Sequence, residues 1–362
     1  MSEYIVIGTI IAAFAVAAVL SYFFTPPVKN FAHKVGAIDV PKDARRMHKK
    51  PIPRLGGLAI YGGFLCSILI FGQLDETMLC VLLGAAIIVA LGIFDDVLAL
   101  GAKLKFVVQI VAAAIPVCIG NLQIGLFTNL NPLSDTPFVH LGILAVPVTI
   151  IWIVGITNAV NLIDGLDGLA VGVSSIAAIT MLAVALLTGN MPIAITMAAL
   201  AGACIGFMPY NLNPAKIFMG DTGSTFLGYM LATVSIMGLF KFYAVISFAV
   251  PFLILGLPIF DTANAIIRRV AAGRSPMSPA RGHVHHKLLD MGFNQKQAVA
   301  ILYAISATLG LTAVVLTSSG EVKAIVLLLA VLAAILVGAG IIYGAEHWSK
   351  HAPENKEDKD DE

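Results

Sequence analysis

The chain has 362 residues, of which 59% are hydrophobic and only 12% charged. Soluble domains carry about 25% charged residues, so the composition excludes a soluble globular fold and points to an all-α, polytopic membrane protein. The net charge of +1 identifies no partner, because in a membrane protein the side on which charge falls matters more than its sum.

A membrane-crossing helix needs about 20 predominantly apolar residues. Eleven stretches meet that requirement: 4–24, 56–74, 77–94, 104–120, 141–160, 169–189, 191–209, 223–240, 243–266, 297–318 and 323–344. The start, "MSEY", lacks the positive region of a signal peptide, so the first stretch is expected to be a retained helix. The stretch 191–209 contains Pro192 and Pro209, which membrane helices tolerate when neighbours satisfy the freed carbonyls. Cys66, Cys80, Cys118 and Cys204 all lie inside apolar runs without a CxxC pair and read as small buried hydrophobes.

Eleven spans place 25–55, 95–105, 161–168, 210–222, 267–296 and 345–362 on one side. All but two of the 22 Lys and Arg residues fall there, Lys241 and Lys323 being the exceptions. By the positive-inside rule that side is cytoplasmic, with the N-terminus outside and the C-terminus inside. Residues 1–344 read as one transmembrane domain. The tail 345–362, ending "ENKEDKDDE", is charged and without apolar anchors, which predicts disorder.

Six carboxylates gather at the same face: Asp95, Asp96, Asp164, Asp167, Asp221 and Asp261. Acids near a bilayer are costly and mark functional positions. In "GIFDDVLALGAKLK" (92–105), Asp95 and Asp96 end the third span and Lys103 and Lys105 begin the fourth. Adjacent acids repel, which a divalent cation relieves; an ordinary charged helix end is the plainer reading. In "NAVNLIDGLDGLAVG" (158–172), Asn158, Asn161 and Asp164 recur at three-residue spacing, which sets them on one helical face. A helix–turn–helix connection with side-chain caps would use the same residues.

In "NPAKIFMGDTGSTFLG", Asp221 precedes the eighth span. A helix start offers N–H groups to phosphate, and a carboxylate there can share Mg²⁺ with phosphates or simply cap the helix. The stretch 268–293 holds four Arg and "HVHH", His283, His285 and His286. No Cys or carboxylate accompanies the histidines at zinc spacing, so a cationic loop that grips phosphate is favoured. "DARRMHKKPIPRLGG" (43–57) adds a second basic patch, which also serves topology and attraction to anionic membrane lipids. Carboxylates, amides and basic loops on one face predict phosphoryl transfer at a membrane surface.

"FDD", "NAVNLIDGLDGLAVG", "NPAKIFMGDTGSTFLG" and "HVHH", in this order, resemble the polyprenyl-phosphate N-acetylhexosamine-1-phosphate transferases, across essentially the whole chain. "PRLGG" and "RGHVHHKLLDMGF" resemble the bacterial branch that transfers GlcNAc-1-phosphate from UDP-GlcNAc to undecaprenyl phosphate. The sister branch, which transfers phospho-MurNAc-pentapeptide, shows "PTMGG" and a three-histidine run instead.

The resemblance implies a plasma-membrane enzyme working on the cytoplasmic face with Mg²⁺, for which Mn²⁺ can substitute. It implies Asp221 as metal ligand with Asn158 nearby, and Asp95 beside Asp96 as the group that deprotonates or orients the lipid phosphate. Lys105 matches a phosphate contact, and Asn161, Asp164 and Asp167 match uridine- and sugar-side contacts. Arg281, His283, His285 and His286 would close over diphosphate and sugar, with Arg54 from the first loop also binding substrate. No nucleic-acid partner is expected. The resemblance admits a homodimer, and Gly340 and Gly344 in the last span stand at GxxxG spacing. A transporter of an anionic or nucleotide-sugar substrate is the alternative of another class; it would place polar groups at mid-membrane within inverted repeats.

Overall fold

The computed structural model describes residues 3–41, 50–128, 138–238, 245–271, 273 and 283–318. Twelve α-helices lie among them, with two short antiparallel hairpins. Seven helical segments of the described residues are long and apolar enough to cross a membrane, which makes this a multi-pass membrane protein. The eleventh stretch (323–344), Gly340, Gly344 and the tail 345–362 lie outside the described residues.

Helix α1 (Glu3–Val35) has 33 residues and continues through Pro26 and Pro27, where the apolar run predicts a stop near 24. At 1.5 Å per residue it is about 50 Å long, against a hydrocarbon layer of about 30 Å. Its last turns therefore stand clear of the apolar layer and carry Lys29 and His33. Strand β1 (Ile38–Asp39) pairs antiparallel with β2 (Ile52–Pro53). Helix α2 (Gly57–Phe71) is short at 15 residues.

Helix α3 (Glu76–Leu98) starts where the Asp75 side chain accepts from the Met78 N–H at 2.7 Å. It ends at Ala99, whose φ of 52° lies in the left-handed region. Asp95 and Asp96 thus sit inside its last turns and not beyond its end. Helix α4 (Ala102–Ala114) loosens into a π-helical turn, Ile115–Ile119, at Pro116. Strands β3 (Leu126–Thr128) and β4 (Phe138–His140) form the second hairpin.

Helices α5 (Ala145–Ile163), α6 (Leu169–Leu187), α7 (Met191–Asn211) and α8 (Gly220–Gly238) build the centre. Nearly every residue of α8 is buried, although its Thr and Ser content makes it the least greasy of the four. Its hydroxyls donate back to its own carbonyls: Thr225 to Asp221 at 2.6 Å, Ser224 to Gly220 at 3.0 Å and Thr233 to Tyr229 at 2.9 Å. Small polar residues satisfied this way let helices approach closely. Helix α8 packs against α3 and α5, and α7 against α1 and α6.

The single span expected over 243–266 is two helices, α9 (Val245–Ile254) and α10 (Gly256–Ala271). Pro258 has no N–H to give to the Ile254 carbonyl, and its ring crowds that turn, so the helix breaks at Leu255. Helix α11 (Val284–Asp290) is short, and α12 (Gln295–Ser318) closes the described bundle against α6 and α9.

Candidate active site

A cavity of about 770 Å³ opens at one end of the bundle. It is built where α1, the 50–57 segment, the α5–α6 turn, the α7–α8 loop and α11 meet. Backbone hydrogen bonds fix that meeting. Phe218 N–H donates to Pro53 O at 2.8 Å, and Gly56 and Gly57 N–H donate to Phe218 O and Met219 O, both at 2.9 Å. The "PRLGG" segment is thereby laced to the start of α8, and Arg54 is brought to the cavity wall, 3.9 Å from Asp39.

Arg54, Asn161, Asp164, Asp167, Asp221 and His286 all line the cavity, so residues from four separate motifs converge as expected. Behind Asp221, Lys105 Nζ lies 2.9 Å from Asp221 Oδ2 and 3.0 Å from Asp95 Oδ2. Asp95 also accepts from the Leu100 N–H at 2.8 Å. One lysine thus bridges two carboxylates from different helices.

Asp96 is placed differently from its expected role. It is 7% exposed and turned away from the cavity, beneath the start of α8. Its oxygens accept from Asp221 N–H at 3.0 Å, Thr222 N–H at 3.0 Å and Thr222 Oγ1 at 2.7 Å. It is a helix cap supplied from α3. The expectation that these N–H groups await a phosphate is corrected for the same reason. Gly220, at φ 73°, makes room for the cap, because a Cβ there would run into the Asp96 carboxylate.

Asn158 does not line the cavity either. Its amide donates to Gln109 Oε1 at 2.6 Å and to Val154 O at 2.8 Å, which spends both N–H bonds on scaffold and leaves the carbonyl oxygen as its acceptor. Asn161 lies nearer, acting on the Asp221 carboxylate while it donates to Ser224 Oγ at 2.8 Å. Asp167 accepts from Asn213 Nδ2 at 2.9 Å and Ala215 N–H at 3.0 Å, so it also anchors the α7–α8 loop.

Asp164 follows the last residue of α5. Burial first, then the charges of Asp221 and Asp96, push its carboxyl up to about 7, with Arg54 opposing. Of His283, His285 and His286, the last lines the cavity, while His283 and His285 are buried. Burial, then His286, pulls His285 down to about 3, so its imidazole is neutral at physiological pH. Its ring lies so close to Gly165 that a side chain there would collide with Nε2. Arg281 lies outside the described residues.

Reading from sequence misses several lining groups: Lys29 and His33 on the extended α1, Lys50, Asn211 and Lys216. The Pro26–Pro27 pair hides the first two, since it reads as a helix stop. Asn211 ends α7 and Lys216 follows it in the "YNLNPAK" segment, where only flanking polarity marks them.

The donor set fits a hard divalent cation. It offers carboxylate and amide oxygens, and a cationic group, Lys105, already stands between Asp95 and Asp221. Among the described residues no three His, Cys, Asp or Glu are arranged to hold a metal by themselves. Mg²⁺ needs one or two protein carboxylates where substrate phosphates complete its coordination.

Fold and site together define a multi-pass membrane protein with a charged cavity, acidic at its floor and basic at its rim. A family model described as glycosyl transferase family 4 matches residues 78–239. A Bacillus subtilis protein named "Probable undecaprenyl-phosphate N-acetylglucosaminyl 1-phosphate transferase" is 43% identical over 311 residues, 86% of each chain. The decaprenyl-phosphate N-acetylglucosaminephosphotransferase of Mycobacterium tuberculosis is 36% identical, over 79% of this chain and 77% of that one. The phospho-N-acetylmuramoyl-pentapeptide-transferase of Halalkalibacterium halodurans is 30% identical, over 87% of this chain and 98% of its own. The chain belongs to glycosyl transferase family 4.

Proposed function

We propose that this protein transfers GlcNAc-1-phosphate from UDP-GlcNAc to undecaprenyl phosphate and releases UMP, on the cytoplasmic face of a bacterial plasma membrane. The observation that carries the reading is the Asp95–Lys105–Asp221 bridge behind the floor of a cavity rimmed by Lys29, Lys50, Arg54 and Lys216. Relatives named for GlcNAc-phosphate transfer share from 43% down to 30% identity, and those named for phospho-MurNAc-pentapeptide transfer reach 30%. That difference and the "PRLGG" and "HVHH" motifs favour the GlcNAc branch.

In this reading an oxygen of the lipid phosphate attacks the β-phosphorus of UDP-GlcNAc. The bond from that phosphorus to the bridging oxygen breaks, and UMP leaves with the electron pair. Phosphoryl transfer of this kind rests on positioning and charge neutralisation. Arg54 and the rim lysines hold the diphosphate. Lys105 keeps Asp95 and Asp221 in fixed relation and offers its charge to phosphate. A phosphomonoester is largely ionised at neutral pH, with a second pKa of about 6, so Asp95 serves to orient the attacking phosphate more than to remove a proton. Asn161, Asp164 and Asp167 face the nucleotide and sugar, and His286 approaches from α11. Asp221 and an asparagine oxygen would hold Mg²⁺ or Mn²⁺, which when bound supplies Lewis-acid neutralisation of the diphosphate.

The test is purified protein in bilayers containing undecaprenyl phosphate. UMP should appear with UDP-GlcNAc and not with UDP-MurNAc-pentapeptide, and Asp221→Ala should abolish it in a folded protein. The reverse preference moves the chain to the sister branch. Vesicles that accumulate sugar nucleotide without releasing UMP would make it a transporter.

A further inference from the structure

Asp261, like Asp96, is an inner-face carboxylate to which the proposed reaction gives no chemical task. It sits on α10, a helix that exposes Phe260, Ile267 and Val270 and buries little besides Leu257, Pro258, Asp261 and Ala265. An acid is the least expected group on such a buried face, and Asp261 is only 2% exposed. Burying a carboxylate is costly unless its oxygens are satisfied. Here each oxygen has its own partner. Oδ2 lies 2.7 Å from His283 Nδ1, and Oδ1 accepts from the Val284 N–H at 2.7 Å.

These two contacts have different chemistry. Val284 is the first residue of α11, and His283, at the cap position, offers no side-chain cap of its own. Asp261 therefore caps α11 from a neighbouring helix. An ionised carboxylate can only accept, and an imidazole paired with one places a hydrogen on Nδ1. Beyond His283, the rings of His283 and His285 are parallel within 6° at 5.7 Å. His285 abuts Gly165, and His286 lies on the wall of the cavity that Asp164 also lines. A continuous set of contacts runs from Asp261 through the histidines to the α5–α6 turn.

We infer that Asp261 is a positioning residue of the active site: it fixes His283 as the Nδ1–H tautomer and docks the histidine helix against the cavity. This rests on the proposed function only for its kinetic consequence. Fixing a tautomer through a carboxylate is a recurrent way to orient an imidazole, and for metal-bound histidines the loss of such a partner costs about 10–100-fold.

Asp261→Asn separates this role from simple stapling. The asparagine oxygen still caps Val284, but its NH₂ now faces Nδ1, which must accept, and the proton moves to Nε2. The experiment uses the full-length protein in lipid nanodiscs, labelled with ¹⁵N-histidine, with His283→Gln to assign the resonance. In the unmodified protein His283 should show a protonated Nδ1, and in Asp261→Asn a protonated Nε2. UMP release should lose about 10–100-fold in kcat, with KM for UDP-GlcNAc changed by less than about threefold. Asp261→Glu, which keeps a carboxylate, should retain the Nδ1–H tautomer and recover most of kcat.

An unchanged tautomer in Asp261→Asn, or a change confined to KM, would overturn the inference and leave Asp261 a staple. A protein that never turns over UDP-GlcNAc defeats the proposed function instead, and the nitrogen spectra still decide the dyad.

Discussion

Replacing Asp96 with Asn tests whether this residue caps α8 or takes part in the reaction. Its Oδ1 accepts one hydrogen bond and its Oδ2 two, from Asp221 N–H, Thr222 N–H and Thr222 Oγ1. Asparagine brings one acceptor oxygen and turns its NH₂ towards the remaining donors. If its oxygen takes the Oδ2 place one bond is lost; in the other orientation two are. Hydrogen bonds to a charged group are worth about 1.5–3 kcal/mol each, and neutralising an acid at a helix start costs about 0.5 kcal/mol more. The variant should therefore be destabilised by about 2–3.5 kcal/mol in the first orientation and about 3.5–6.5 kcal/mol in the second. The assay pairs thermal unfolding in nanodiscs with UMP release per folded molecule. We expect a clearly lowered unfolding midpoint with turnover reduced by about 10–100-fold, because the cap holds the turn that carries Asp221. An unchanged midpoint with abolished turnover would refute the reasoning and return Asp96 to the reacting groups.

Lys105→Met leaves Asp95 and Asp221 without the cation between them; loss of a group that orients the Asp221 carboxylate should lower turnover about 10–100-fold, and a loss below threefold would contradict the bridge. Gly165→Ala pushes a methyl into His285 and should raise KM for UDP-GlcNAc several-fold, read against an unfolding midpoint that stays near the parent's. Asp164 supplies a pH dependence. Its folded value near 7 lies above the ordinary carboxylate value of about 3.9, so between those limits the folded protein holds a proton that the unfolded chain releases. Its contribution to stability is full below pH 4 and is lost as pH rises through 7. Asp164→Asn should flatten that part of the stability profile, as measured by unfolding midpoints from pH 4 to 8. Persistence of the slope would remove Asp164 as its source.

Much of the fold could be read in the sequence because the membrane forces apolar runs of one length. What escaped were the places where local signals compete. Pro26 and Pro27 read as a stop, yet α1 continues through them. Pro258 sits in an apolar run that reads as one span, and there the missing N–H does break the helix. Asp95 and Asp96 read as an end, yet they occupy the last turns of α3, which stops only at left-handed Ala99. Within the site, the motifs correctly brought Asn161, Asp164, Asp167, Asp221 and His286 to one cavity. The sequence could not say that, of two adjacent acids, Asp95 joins Asp221 through Lys105 while Asp96 caps α8. Asp96 finds Thr222 across 126 positions, and no local pattern records such a pairing.

That cap has an electrical consequence. A helix start is a permanent source of positive potential, and in α8 it is already answered by Asp96. In the proposed reaction, the charge that meets an incoming nucleotide must then come from exposed lysines, Arg54 and dissolved ions. A fixed dipole would grip the departing nucleotide as firmly as the arriving one, whereas side chains can swing away and ions can leave with it. Exposed charges are also the ones that salt screens, over about 8 Å at physiological strength. Nucleotide capture by this protein should thus weaken with ionic strength, and its release should quicken.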